Sequence, residues 1–468
     1  MIKKDTEMDS VKAIVVAGLS GGSGKSVVSV GLTAAWTGAG RIVAPFKKGP
    51  DYIDAGWLQC AAGRNCYNLD PYLVAPETIT ASFRQRSVGA DLGLVEGNRG
   101  LFDGVTADGG YSTAELAVLL DLPVLLVVDC TKTTRTIAAL VLGCQQFDKR
   151  VCLVGVVLNR VATERQRRII TEAVEGATGV PVLGSVPRLG RDIFPMRHLG
   201  MIPYQEYDGT AQALEVLART ARESIDLARV EAAMQPTHSA AGPETIDLVS
   251  LPEHRDVRIG ILQDAAFQFY YPENLAALQR CGAELVPINA LVDPGLPPLD
   301  GLYIGGGFPE TSASELAVNS SFRASVLAAA EGGLPIYAEC GGLIYLGTSI
   351  MLADGEYPLV GLFPVRFGMA KKPQAHGYSI FSVEGENPFY PRGLRVKGHE
   401  FRYSTILDWP GDPQQLVVRM ERGTGFMAGR DGLCYRNVLA LYTHVHAEGT
   451  PAWAEGFVAR CRQCRQGR

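Results

Sequence analysis

No stretch of the 468 residues is long and apolar enough to cross a membrane as a helix: the most apolar run, Leu116 to Val128, is broken by Asp121 and Pro123 and falls well short of about 20 residues. The N-terminal MIKKDTEMDS lacks the apolar core of a secretory signal as well. A dominant charge is also missing. With 44 Lys and Arg against 49 Asp and Glu, the formal net charge is -5, and the basic residues are scattered, which removes the electrostatic case for nucleic acid or an anionic membrane as partner. The 10 cysteines are too dispersed for a disulfide framework and suit reduced thiols. Cys461 and Cys464 sit in a basic, polar tail that reads as a chain end rather than a metal or redox site. No internal repeat or low-complexity tract appears. These absences leave a cytoplasmic, soluble protein that works on small molecules, with a homodimer as the one macromolecular partnership left open.

What is present is alternation. A chain of this length exceeds one ordinary core, so two domains are expected. From Val11 to about Arg229, short apolar runs alternate with helical stretches, the pattern of a parallel sheet covered on both faces. Strands are expected at Ala13–Ala17, Ile42–Phe46, Leu92–Glu96, Pro123–Asp129, Cys152–Leu158 and Val182–Val186. Residues 234–255 are rich in proline and small residues and read as a linker. A second alternation follows, with strands at Arg258–Gln263, Ala283–Ile288, Gly301–Gly305, Pro335–Glu339 and Val438–His444. The expected division is therefore 1–233, a linker at 234–255, and 256–468.

The first domain opens on GLSGGSGKS, Gly18 to Ser26, directly after an apolar β-branched run. A loop this poor in side chains lets the backbone N–H groups of Gly18, Ser20, Gly21, Gly22, Ser23 and Gly24 face a polyphosphate at the positive end of the next helix. Lys25 would reach the terminal phosphates and the Ser26 hydroxyl would ligate Mg²⁺. Two more charged segments stand at expected strand ends. One is Phe46-Lys47-Lys48-Gly49-Pro50-Asp51-Tyr52-Ile53-Asp54, where Asp54 could also cap a helix; the other is Glu96-Gly97-Asn98-Arg99-Gly100-Leu101-Phe102-Asp103. Ser26, Asp51 and Glu96 make an oxygen-ligand set suited to Mg²⁺.

The second domain carries Ala338-Glu339-Cys340-Gly341-Gly342 at a strand-to-helix turn, the pattern of a nucleophile elbow. Its base is His444 or His446, which share one face of an expected strand, so periodicity does not choose between them. Gly305-Gly306-Gly307 ends another strand, and the amides of Gly306, Gly307 and Gly341 are candidates for an oxyanion hole. Lys397-Gly398-His399-Glu400-Phe401 receives no chemical role.

GLSGGSGKS, FKKGPDYIDAG, VEGNRGLFDG and AECGG together resemble the cobyrinic acid a,c-diamide synthase family, over nearly the whole chain. The spaced phosphate loop is the longer form found in dethiobiotin synthetases and their relatives. The resemblance implies an N-terminal P-loop NTPase-like domain and a C-terminal flavodoxin-like class I glutamine amidotransferase domain. It implies ATP and Mg²⁺ as cofactors, with glutamine, ATP and a tetrapyrrole as substrates. By the same resemblance Lys47, Tyr52, Asp54 and Asp103 lie on the substrate side, and Asn159 reads the adenine edge. The Tyr-x-His ending favours His444 as partner of Cys340. Related triad glutaminases carry an acid two residues after the histidine; His446 stands there instead, which leaves His446 or Glu448 to orient His444. Amidation of nickel-sirohydrochlorin or hydrogenobyrinic acid is the nearest alternative. A nucleotide switch with an inactive glutaminase-like module is the alternative of another class.

Overall fold

A computed structural model describes residues 11–190, 196–197, 200–237 and 246–467. The N-terminal decapeptide and residues 238–245 of the expected linker lie outside the described residues. The chain divides into two compact units, Met1–Asp247 and Leu248–Arg468.

The first unit is built on β1 (Val11–Gly18), whose side chains are buried at every position but Lys12, the burial of a strand covered on both faces. It is followed by helix α1 (Lys25–Gly38), β2 (Val43–Lys48), helix α2 (Ile53–Ala62), β3 (Tyr67–Leu69), β4 (Leu92–Glu96), β5 (Val124–Asp129), β6 (Leu153–Val161) and β7 (Val182–Pro187). The strand order is β3-β2-β4-β1-β5-β6-β7. These neighbours run parallel, so their C-terminal ends share one edge, where open α/β sheets bind ligands. The expected strands all form, with shifted ends. β2 extends through Lys47 and Lys48, and β6 continues past Asn159 to Val161. Part of the expected linker is also strand: β8 (Gln235–Thr237) runs antiparallel to Val11–Ala13, covering the start of β1 before β5 begins to pair with it.

The second unit contains a six-stranded sheet made of β9 (Val257–Leu262), β10 (Ala283–Ile288), β11 (Gly301–Ile304), β12 (Ile336–Glu339), β15 (Leu433–Tyr435) and β16 (Val438–Leu441). Their order is β10-β9-β11-β12-β16-β15. The first five are parallel in a flavodoxin-like arrangement, and β15 is an antiparallel edge. A separate five-stranded sheet includes the hairpin of β13 (Ala375–Val383) and β14 (Arg395–Arg402). The expected strand Val438–His444 is corrected here. It ends at Leu441, and the chain changes sheets, so that β17 (His444–Val445) pairs antiparallel with Gly398 and His399 of β14. That change of sheet carries His444 to its place.

Candidate active sites

The phosphate loop leaves β1 at Gly18 and enters α1 at Lys25. Gly22 (φ 74°) and Gly24 (φ 97°) take left-handed conformations that close the turn. A β-carbon at Gly24 would stand 1.9 Å from Asn159 Nδ2, so the residue must be bare for a second reason. Ser20, Gly21 and Gly22 are exposed, and the Ser20 carbonyl accepts hydrogen bonds from Ser23 Oγ (3.0 Å) and Lys25 Nζ (3.1 Å). Lys25 is folded back onto its own loop. Burial and the nearby Lys47 ammonium depress its pKa, against the opposing charges of Glu96, Asp54 and Asp103. A polyphosphate would replace the weak carbonyl partner with anionic oxygens.

Sheet register assembles the rest of this site. Val16 of β1 and Lys47 of β2 both pair with Glu96 of β4. Lys47 Nζ donates to Glu96 Oε1 (2.9 Å), Asp54 Oδ2 (3.0 Å) and the Gly97 carbonyl (3.0 Å). Ser26 Oγ donates to the same Glu96 Oε1 at 2.9 Å. Lys47 and Glu96 are 1% and 0% exposed, so each needs the other to remain charged. Burial works against the Lys47 charge, but Asp54 and Glu96 raise its pKa. Burial pushes Glu96 up against the pull of Lys47, whereas Asp54, half-buried, is held low by Lys47.

Two placements differ from the expectation. Asp51 Oδ1 accepts from the N–H groups of Ile53 (2.9 Å) and Asp54 (3.0 Å), so Asp51 performs the capping considered for Asp54. The cause is the preceding loop: Asn68 Nδ2 donates to the Gly49 and Asp51 carbonyls and sets Asp51 against the start of α2. Asp54 instead joins Lys47 and Glu96. Tyr52 is half-buried at the entrance to α2. Asp103 is exposed, and its Oδ2 accepts from Gly100 N–H (2.8 Å) within a loop anchored by Leu101 N–H on the Gly18 carbonyl. Asn159 Nδ2 donates to the Ser23 carbonyl (2.9 Å) and its Oδ1 accepts from Arg160 N–H. That bond supports the phosphate loop from beneath and leaves the second amide hydrogen for another acceptor.

In the second unit, β12 ends at Glu339 and Cys340 adopts φ 48°, ψ -97° before the short helix α3 (Gly341–Tyr345). A non-glycine residue held there is strained, as a nucleophile elbow requires. The glycines after it make room: a β-carbon on Gly342 would lie 2.4 Å from the Ile304 carbonyl, and one on Gly341 would lie 3.0 Å from Gly307 N. The backbones of Gly341 and Gly307 therefore meet beside the thiol. Gly306 is constrained in its own way. Its carbonyl accepts from Gln268 and Phe269 N–H, and a β-carbon there would stand 2.4 Å from His444 Cε1, so Gly306 is the floor under the imidazole.

His444 is 2% exposed and hydrogen-bonded to the Cys340 thiol. Its Nδ1 is 3.4 Å from Glu339 Oε2. Burial opposes its charge, but the hydrogen bonds and charges of Cys340 and Glu339 raise its pKa to about 10. The contact expected of His446 or Glu448 is made by Glu339, a residue that the sequence marks only as the flank of the nucleophile. His446 points elsewhere, with Nε2 3.7 Å from Glu273 Oε1 and its ring 4.7 Å from that of Tyr271. The other residue missed is His399, whose ring stacks on His444 at 4.8 Å and 21°.

Gly306→Ala should displace His444 and leave the phosphate loop untouched. A shift of this size costs on the order of 10²-fold in turnover, so glutamine hydrolysis should fall by about that factor while ATP-dependent use of ammonium is kept. Equal rates for the variant and the parent enzyme in a glutamate-release assay would remove the imidazole from the reaction.

A nucleotide phosphate loop on one parallel sheet and a thiol elbow with a buried imidazole on another define the class, an amidotransferase that couples a nucleotide-binding unit to a glutaminase unit. Two family models agree with that division: the CobQ/CobB/MinD/ParA nucleotide binding domain matches residues 14–195, and the CobB/CobQ-like glutamine amidotransferase domain matches residues 258–452. The chain belongs to the cobyrinate a,c-diamide synthase family. It is 41% identical to the cobyrinate a,c-diamide synthase of Magnetococcus marinus, covering 94% of each chain. It is 38% identical to that of Archaeoglobus fulgidus, over 96% of this chain and 97% of the relative. The Syntrophotalea carbinolica enzyme is also 38% identical, over 97% and 99%. Among the described residues no helix is long and apolar enough to cross a membrane.

Proposed function

We propose that this protein is an ATP-dependent, glutamine-hydrolysing ligase that converts the a and c acetate carboxylates of cobyrinic acid into amides. The observation that carries the reading is the presence in one chain of the Cys340–His444 pair and of a phosphate loop whose Ser26, with Lys47, converges on Glu96. The names of the full-length relatives supply the substrate.

Carboxylates do not condense with ammonia at neutral pH without activation. In the glutaminase unit the Cys340 sulfur attacks the glutamine carboxamide carbon. His444 gives a proton to the departing ammonia, and water cleaves the glutamyl thioester to free glutamate and the thiol. The amides of Gly307 and Gly341 face the developing oxyanion, a contribution of about 3 kcal/mol per donor. In the synthetase unit an acetate oxygen attacks the ATP γ-phosphorus and ADP leaves. Ammonia then attacks the acyl phosphate and inorganic phosphate departs, once for each acetate.

Lys25 and the loop amides hold the phosphates, and Asn159 offers its remaining amide hydrogen to the base. Lys47 holds Glu96 and Asp54 in place from within the sheet. Asp103, close enough for its charge to act on Lys25, and Tyr52 serve the substrate side. Mg²⁺ fits here on an observation of this site: Glu96 Oε2 is buried without a hydrogen-bond partner, next to the Ser26 hydroxyl. Asp51, with one oxygen on the helix cap, and Asp54 stand nearby. Among the described residues no three His, Cys, Asp or Glu side chains form a metal cage, so nucleotide oxygens and water would complete the shell. Bound there, the ion would neutralise charge on the β- and γ-phosphates.

Product mass spectrometry tests the substrate. With ATP, Mg²⁺ and glutamine, cobyrinic acid should be converted to a diamide through a monoamide. Conversion of a metallated sirohydrochlorin, with cobyrinic acid left unchanged, would overturn the assignment.

A further inference from the structure

The histidine of a thiol glutaminase needs a partner on its second nitrogen to fix its tautomer and support its positive charge. The residue two beyond His444 is another histidine, which faces Glu273. Nδ1 of His444 instead lies 3.4 Å from Glu339 Oε2, a carboxylate from the residue immediately before the nucleophile. We infer that Glu339 is the positioning residue of the glutaminase, holding His444 toward Cys340 from the strand that also presents the thiol. This rests on the glutaminase reading of Cys340 and His444.

Several independent contacts support the assignment. Glu339 is fully buried, and a carboxylate kept out of water needs a task that repays its desolvation. Both of its oxygens are held. Oε1 accepts from Val445 N–H at 3.2 Å, the backbone of the residue after His444, and Oε2 accepts from Tyr303 Oη at 3.2 Å. Tyr303 is in turn within 3.4 Å of Asn274 Nδ2, which donates to the Val445 carbonyl at 2.7 Å. One network therefore ties β11, β12 and the segment carrying His444 into a single geometry. Cross-strand pairing of Glu339 with Leu441 sets that reach, because the chain leaves β16 there and returns past the carboxylate. With Nδ1 turned to Glu339, Nε2 is the nitrogen left for the thiol.

The other titratable groups facing His444 do not duplicate this contact. Cys340 lies on the reacting side. His399 stacks on the ring face and shares Tyr271 Oη through its own Nδ1 (3.2 Å), and burial together with the charges of His444 and His446 holds it neutral. His446 is paired with Glu273. Among the described residues, Glu339 is the carboxylate that meets the ring edge.

The test is the pH profile of glutamine hydrolysis in the full-length enzyme with Glu339→Gln, which keeps the side chain's shape and an acceptor oxygen but removes the charge. If Glu339 supports the imidazolium, kcat should fall by 10-fold or more on the scale of a lost positioning group. The alkaline limb should move down by at least about one pH unit, since the proton donor is lost earlier as pH rises. KM for glutamine and ammonium-supported amidation should stay unchanged. Alkylation of Cys340 by iodoacetamide should be slower in Glu339→Gln, because an imidazole no longer held toward the sulfur activates it less. An unchanged pH profile and alkylation rate in a folded Glu339→Gln protein would overturn the inference. If that variant does not fold, Glu339→Asp decides: its charge is kept but retracted by a methylene, so kcat should fall while the alkaline limb stays near its original position, and an unchanged kcat would equally overturn the inference. Glutamine hydrolysis surviving in Cys340→Ser would instead overturn the glutaminase reading itself.

Discussion

Cys340→Ser is expected to abolish amidation supported by glutamine while amidation supported by ammonium continues at its original rate. The oxygen of serine has almost the size of the sulfur, so the elbow, held by Cys340 N–H on the Leu441 carbonyl and by the bare glycines behind it, should be preserved. What is lost is the more nucleophilic sulfur beside the His444 imidazole, whose contacts with Cys340 and Glu339 raise its pKa to about 10 against the effect of burial. The penalty should be about 10³-fold or more in glutamate release. Rates measured with each nitrogen source in the same preparation separate the two chemistries. Loss of both in a folded variant would mean that the thiol serves structure rather than glutamine cleavage.

Lys25→Ala should have the complementary effect, with amidation lost from either nitrogen source and basal glutamine hydrolysis retained. Lys25 is the loop's own cation, resting on the Ser20 carbonyl; Lys47 is committed to Glu96, Asp54 and the Gly97 carbonyl and cannot substitute for it. Removing one preorganised charge from a phosphoryl-transfer site costs about 10²–10³-fold. Truncation also relieves the repulsion between Lys25 and Lys47 that lowers the Lys25 pKa, so the fold should tolerate it. ADP release with cobyrinic acid and ammonium measures the outcome, and ATP-dependent amidation at the parent rate would remove the loop from catalysis.

The imidazole also links stability to pH. The His444 pKa of about 10 lies above its unfolded value, so its contribution is complete below about pH 6.5 and is lost as pH rises toward 10. The alkaline decline in glutaminase stability should therefore weaken in Glu339→Gln.

The sites were unequally legible in the sequence, for a physical reason. A phosphate loop is a local object: glycines at fixed offsets behind a buried strand determine the backbone path, and Gly18 to Ser26 could be read without knowing the neighbours. The elbow at Cys340 is local in the same sense. Asp51 and Asp54 were harder, because both stand at the start of one helix and their roles depend on Asn68, which grips the loop from β3. Asn159 directly follows an expected strand, but its support of Ser23 is a contact across 136 positions that no local pattern carries.

By itself the sequence determined that a nucleotide-phosphate loop and a reactive thiol share this chain, each at the end of a buried parallel strand, because turn geometry and strand burial depend on neighbouring residues. Only the tertiary structure decided which histidine meets the thiol and which acid meets that histidine. His444 and His446 have equal claims along the chain. They are separated because β16 stops at Leu441, the chain crosses to β14, and the pairing with β12 brings Glu339 to a ring 105 residues away.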